Sequence, residues 1–148
     1  MDKAMSNSLY DRDFYAWANE QAALLRAGKL ESADIGNIAE EIESMGRSEK
    51  RELVNRLAVL LTHLLKWRFQ PAHRGNSWRL TILEQRYRLD DHIADNPSLK
   101  SRLAEAIREA YRLARIESER ETGLAGDTFP PECPFTFDEI GAESYWPE

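Results

Sequence analysis

The sequence predicts an all-α fold, a bundle of four to five helices with an extended aromatic C-terminal tail packed over it. Three observations support this fold class. Apolar residues recur at intervals of three and four, which is the period of one face of an α-helix. Residues that start or end helices, such as Asp, Asn, Gly and Pro, stand between these stripes. The composition, with 42% hydrophobic and 31% charged residues, is typical of a globular chain.

The first predicted helix runs from about Tyr10 to Ala27. Ser8 or Asp11 can cap its start, and Gly28 is expected to end it. Its apolar face contains residues at helical spacing: Tyr10, Phe14, Trp17, Gln21, Leu24 and Leu25.

A second helical stretch begins after Asp34, a good N-cap residue, and must end before Pro71. Its stripe lapses at Glu49, so we expect a kink or break at residues 46–48 and hence two helical segments. The stripe is formed by Ile35, Ile38, Ile42 and Met45, and then by Leu53, Leu57, Leu60, Leu61, Leu64 and Leu65.

Two further helices follow. Ser77 can cap a helix that carries Trp78, Ile82, Leu89 and Ile93 on one face. Asn96 and Pro97 then favour an immediate restart, because Pro is tolerated at the first position of a helix. The small residues Ala106, Ala110 and Ala114 line the inner face of that helix, and Gly123 ends it.

The chain is predicted to be a single helical domain over residues 1–148, with a disordered N-terminus over residues 1–8. Residues 124–148 form the wrapping aromatic tail. Within the tail, Thr136 and Glu139 match a capping box and predict a short helix near residues 137–141.

The chain lacks a secretory signal pattern and a long apolar run, so we expect a cytoplasmic protein that does not cross a membrane. Cys133, the only cysteine, fits a reducing compartment. It has no neighbouring base in the sequence that would make it a nucleophile.

Charge is unevenly distributed along the chain. The overall net charge is −6, but residues 1–49, 50–88 and 89–148 carry −5, +7 and −8. One interpretation is that the basic middle pairs locally with acidic helices. The other is that the basic middle presents an anion-binding surface.

Six stretches of this sequence resemble a known family of bacterial proteins, catalogued as domain of unknown function number 29. The resemblance covers nearly the whole chain, from about Leu9 to Ile140, and implies an all-helical bacterial domain, common in cyanobacteria and proteobacteria, with no established activity. The matching stretches are Tyr10 to Trp17, Ala39 to Gly46, His63 to Trp67, Ser77 to Ile82, Asn96 to Leu99 and Phe129 to Phe135.

Catalytic and metal-binding motifs are nearly absent. Glu-x-x-His pairs, His-x-x-x-His pairs and Gly-rich phosphate loops do not occur, so no catalytic residue is assigned and no cofactor is expected. Glu41 and His63 are candidates for a buried polar or metal cluster between helices, and that cluster would support a metal-dependent enzyme. Alternatively, Glu41 pairs with a cation such as Arg79 or Arg86, and His63 bonds a carboxylate or carbonyl group.

The basic, aromatic region 66–88 is the candidate anion-binding surface, and it would suit single-stranded nucleic acid. Trp67 and Trp78 also fall on apolar stripes, which favours the core instead. We expect a non-enzymatic protein-interaction module with an unidentified protein partner; nucleic-acid binding and homo-oligomer formation remain alternatives. The candidate anion-binding residues are Lys66, Arg68, Arg74, Arg79 and Arg86.

Overall fold

Six α-helices, joined by short 3-10 turns, make up the computed structural model, which describes residues 8–148. The predicted all-α class is confirmed, since the described residues contain no strand. The N-terminus predicted to be disordered, residues 1–8, lies outside the described residues except for Ser8. The helices are α1 (Leu9–Arg12), α2 (Phe14–Arg26), α3 (Ile35–Phe69), α4 (Asn76–Asp95), α5 (Leu103–Thr122) and α6 (Phe137–Gly141).

The helix predicted from Tyr10 to Ala27 is in fact divided into α1 and α2 at Asp13. The backbone of Asp13 leaves the helical region, with φ −152° and ψ 85°. Its carboxylate accepts a hydrogen bond from the Ala16 amide at 3.1 Å and so caps α2. The end of α2 agrees with the prediction, because Gly28 follows with a φ of +72° that few other residues adopt.

The predicted break at residues 46–48 is wrong, because α3 is one α-helix of 35 residues. A glycine inside a helix costs only about 1 kcal/mol relative to alanine, which is too little to interrupt so long a helix. The residue contacts of the chain nevertheless divide into two groups at this point. Residues 8–47 belong to one compact unit and residues 48–148 to a second.

The core of the second unit is built on the C-terminal half of α3. Its leucines are fully buried, as is Ile82 of α4, and Ala106, Ala110 and Ala114 of α5 have no exposed surface. These alanines lie on the inner face of α5, as the sequence predicts. The buried leucines of α3 are Leu53, Leu57, Leu60, Leu61, Leu64 and Leu65.

The starts of α4 and α5 differ slightly from the prediction. Gly75, in extended conformation, precedes α4, which begins at Asn76 and is not capped by Ser77. Pro97–Arg102 forms a 3-10 helix before α5 begins at Leu103. The end of α5 agrees with the prediction, since Gly123 has a left-handed φ of +76°.

Residues that follow α5 contribute to the core of the second unit. Phe129, Phe135 and Ile140 are buried. The Tyr111 hydroxyl of α5 donates to the Pro130 carbonyl at 2.6 Å. The predicted short helix is present as α6, and Thr136 caps it in a complete capping box.

Replacing Leu60 with alanine should lower the free energy of unfolding by about 2 to 5 kcal/mol, because a fully buried leucine leaves a cavity when it is shortened. Urea denaturation followed by circular dichroism measures the change. Val59→Ala is the control on the same helix, since Val59 is 40% exposed, and it should cost less than about 1 kcal/mol. Equal losses for the two variants would contradict this assignment of the core.

Candidate functional site

The five candidate anion-binding cations all lie in the second unit, and the structure uses several of them internally. Lys66 is buried, and its Nζ donates to Glu121 Oε1 at 2.5 Å. The same ammonium group lies 4.8 Å from the centre of the Trp78 ring. The hydrogen bond and charge of Lys66 hold the pKa of the Glu121 carboxyl below its usual value. Lys66 therefore links α3 to α4 and α5.

Arg86 is also buried, and it binds the backbone at the end of α6. Its Nε donates to the Ile140 carbonyl at 2.8 Å, and its Nη2 donates to the Glu139 carbonyl at 3.1 Å. The guanidinium lies 5.5 Å from the centre of the Trp146 ring. Burial lowers the pKa of Arg86. Its Nη1 is buried and has no hydrogen-bond partner in the part of the chain that the structure describes.

Arg74 joins the end of α3 to the C-terminal residues. Its Nε donates to the Trp67 carbonyl at 2.7 Å, and its Nη2 donates to the Pro147 carbonyl at 3.2 Å. The Trp67 ring packs on Trp146 at a centroid distance of 4.6 Å. A carbonyl at a helix end needs such a donor, because no amide within the helix reaches it.

Arg68 and Arg79 are the exposed members of the predicted anion-binding set. Arg68 lies over the Phe69 ring at 5.3 Å, and Arg79 donates to the Asn76 side-chain oxygen at 2.7 Å. Three of the five cations are thus held by carbonyl or carboxylate groups of the second unit, and two face solvent. Anion binding by this region stays a prediction.

Glu41, in the first unit, accepts a hydrogen bond from a tyrosine. The Tyr10 hydroxyl donates to Glu41 Oε2. This hydrogen bond and the adjacent negative charge raise the pKa of Tyr10 to about 12, because they disfavour the phenolate. The Tyr10 ring also packs edge-on against Trp17 at 4.7 Å. Arg79 and Arg86, the predicted partners, donate to Asn76 and to the end of α6.

A small polar network attaches α2 to the start of α3. Trp17 Nε1 donates to Asp34 Oδ2 at 3.0 Å, and the Asp34 amide donates to Gln21 Oε1 at 2.6 Å. Trp17 and Gln21 are the buried residues of α2. This network fixes the connection that leads from α2 into α3.

His63 is partly buried in the second unit. Its Nδ1 lies 2.9 Å from the Val59 carbonyl, so Nδ1 carries the proton and donates. Burial lowers the pKa of His63, and the charge of Lys66 acts in the same direction. The prediction that His63 bonds a carbonyl group is confirmed. A metal cluster of His63 with Glu41 stays a prediction.

One group of side chains within residues 8–148 has the composition and spacing of a metal-binding site: Glu49, Glu52 and His92. His92 Nδ1 lies 3.6 Å from a carboxylate oxygen of Glu49 and 3.6 Å from one of Glu52. These three residues form no metal-binding motif in the sequence. The only local signal is that Glu49 and Glu52 stand three residues apart on one helix face.

A row of exposed or half-buried apolar side chains follows the N-terminal half of α3, and we call it the apolar stripe. It consists of Ile35, Ile38, Ile42 and Met45 at helical spacing. Ile42 is 57% exposed and Met45 is 62% exposed. Residues 8–47 around it carry eight acidic and four basic side chains. Contiguous exposed apolar surface with a polar rim is typical of a protein-interaction site.

The described helices include none that is long and apolar enough to cross a membrane. A sequence model for the family described as "Domain of unknown function DUF29" matches residues 9–146, nearly the whole chain. No curated protein and no solved structure matches the chain. The family description assigns no activity, so the function has to be inferred from the surface.

Replacing His63 with glutamine should make the free energy of unfolding less dependent on pH below neutrality. Because burial lowers the pKa of His63 in the folded protein, the unfolded chain takes up the proton first as the pH falls. The wild type therefore loses stability as the pH falls through about 6.5. Denaturation of both proteins at about pH 7.5 and about pH 5.5 measures the difference.

His73→Gln is the control for the His63 experiment, since His73 is exposed. The free energy of unfolding of this variant should fall with decreasing pH as much as that of the wild type. If the free energy of unfolding of His63→Gln fell with decreasing pH as much as that of the wild type, burial would not be lowering the pKa of His63.

Proposed function

Since the chain belongs to the family described as "Domain of unknown function DUF29", which has no assigned activity, we propose from its surface that it is a non-enzymatic protein-interaction module. The observation that carries the proposal is the apolar stripe of α3. Ile35, Ile42 and Met45 are exposed and Ile38 is half-buried. The leucines farther along the same helix, in contrast, are fully buried.

The partner that fits this surface is an amphipathic helix whose apolar face is flanked by lysine and arginine. Helices commonly bind partners by laying an apolar face against another apolar surface. The first unit is acidic, and Glu40 and Glu43 are exposed on the same helix as the stripe. Basic side chains on the partner would be attracted to these carboxylates, and acidic ones would be repelled.

The affinity expected from the stripe alone is weak. Full burial of an isoleucine or methionine side chain contributes roughly 1.5 to 3 kcal/mol, and about half of that is available where half of the side chain is exposed. By this measure the four side chains of the stripe supply about 3 to 6 kcal/mol. Association costs several kcal/mol of free energy, because the two molecules lose translational and rotational freedom. A micromolar complex needs about 8 kcal/mol net, so tight binding requires further contacts along the partner.

The proposal also includes the cellular setting and the organisation of the chain. We propose a bacterial cytoplasmic protein that acts as a single domain, in which residues 124–148 form an aromatic tail over the helices. The single thiol of Cys133 supports a reducing compartment. The contacts of Trp146 with Trp67, and of Phe129 with Phe69, support the role of the tail.

Anion binding remains the second candidate function, and one observation favours it. The buried Nη1 of Arg86 has no partner among the described residues, and Arg86 lines a cavity of about 410 Å³. Lys100 lies on the same cavity, together with Asp90 and Asp138. Single-stranded nucleic acid would instead meet the exposed Arg68 and Arg79.

Ile42→Glu should weaken binding of a basic amphipathic helical peptide at least about tenfold, because a charge replaces apolar contact surface. The probe is a peptide of about 15 residues with leucine at helical spacing and flanking lysines. Titration calorimetry with the full chain measures the dissociation constant. A second peptide with glutamate in place of every lysine should not bind measurably.

The matched control is Ile116→Glu, since Ile116 of α5 is 57% exposed, as Ile42 is. This variant should bind the basic peptide as the wild type does. Equal weakening by the two variants would exclude the apolar stripe as the site. Sedimentation of the wild type as a dimer that Ile42→Glu dissociates would show that a second copy occupies the stripe, and it would overturn the proposed partner.

The double variant Arg68→Ala, Arg79→Ala tests the nucleic-acid alternative without disturbing the buried cations. If that alternative holds, binding of single-stranded DNA should weaken and its salt dependence should decrease, because each lost phosphate contact reduces counterion release. Fluorescence anisotropy at several salt concentrations measures both. Unchanged binding, or no binding by the wild type, would exclude these two arginines as a nucleic-acid surface.

A further inference from the structure

Glu49, Glu52 and His92 bring two carboxylates and one imidazole together on the surface of the second unit. The two glutamates lie one helical turn apart on α3, and His92 lies in the last turn of α4. The potential ligand atoms all lie within 4.8 Å of one another. This site is independent of the apolar stripe and of the proposed partner.

The position of the proton on His92 makes the ring a suitable ligand. The His92 side chain is only 8% exposed, and its Nε2 lies 2.9 Å from the Glu49 backbone carbonyl. A carbonyl oxygen only accepts hydrogen bonds, so Nε2 carries the proton and donates. If the ring is neutral, Nδ1 then carries the lone pair, and this atom faces the two carboxylates. Histidines that bind metals usually donate their other ring N–H in this way.

The distances between ligand atoms support ion binding over direct hydrogen bonding. His92 Nδ1 is 3.6 Å from an oxygen of each glutamate, which exceeds the roughly 2.7 to 3.2 Å of a hydrogen bond. Nδ1 therefore lies beside both carboxylates without a hydrogen bond to either. Around a tetrahedral zinc ion with bonds of about 2.1 Å, neighbouring ligand atoms lie about 3.4 Å apart. A small shift of the glutamate side chains would give that spacing.

We propose that Glu49, Glu52 and His92 bind one divalent transition-metal ion of the zinc class. Two carboxylates balance the charge of the ion, and mixed oxygen and imidazole ligands suit zinc and its first-row neighbours. Arg56 Nε donates to Glu52 Oε2 at 2.9 Å, and Asn96 Nδ2 lies 3.4 Å from Glu49 Oε2. These neighbours orient the carboxylates, and solvent would fill the remaining coordination position.

The test is titration of the chelator-treated full chain with Zn²⁺ by calorimetry and with Co²⁺ by visible absorption. The wild type should bind one ion per chain, and Co²⁺ should give the absorption bands of a low-coordinate site with an imidazole ligand. Glu49→Gln and His92→Gln should each weaken Zn²⁺ binding at least tenfold, because each removes a ligand or its charge. Glu49 is exposed, so its variant keeps the test valid if His92→Gln does not fold.

His73→Gln is the control for binding by a surface histidine, and it should bind Zn²⁺ as the wild type does. Absence of a one-to-one complex in the wild type would overturn the proposal, leaving His92 as a histidine beside two carboxylates. Equal affinity of the wild type, Glu49→Gln and His92→Gln would also overturn it, because the ion would then bind elsewhere.

Discussion

Burial of the leucines in the C-terminal half of α3 is the constraint on which the second unit depends. Six leucines of this helix are fully or almost fully excluded from water, and each contributes roughly 1.5 to 3 kcal/mol of hydrophobic stabilisation. These leucines form one broad face of the helix, and that face must be covered. Helices α4 and α5 and the buried C-terminal residues Phe129 and Ile140 provide that cover.

The packing creates a second requirement, because backbone carbonyls in the last turn of a helix or outside regular structure still need donors. Arg74 and Arg86 supply them by donating to the carbonyls of Trp67, Pro147, Glu139 and Ile140. The positive charge concentrated in residues 50–88 thus serves, in part, to hold the C-terminal segment in place. A sequence region rich in cations therefore need not present an anion-binding surface, because the packing of the helices decides which cations face solvent.

The first unit has a different character. Its buried side chains are few, and its contacts are mainly the aromatic cluster of Tyr10 and Trp17 and the polar network at Asp34. The apolar stripe of the same unit stays exposed. An exposed apolar surface of this kind lowers solubility unless a partner covers it. The interaction proposal therefore rests on this unit. The metal-site proposal, in contrast, rests on side chains of the second unit alone.

The sequence by itself determined the all-α class, most helix ends and the α6 capping box, because these features depend on residues within a few positions of one another. It did not determine that α3 continues through Gly46, since the small cost of one glycine is outweighed by the rest of the helix. It also did not determine the partners of Glu41, Arg86 and His92. Those partners lie 31 to 54 residues away along the chain, and only the packing of the helices decides which distant groups meet.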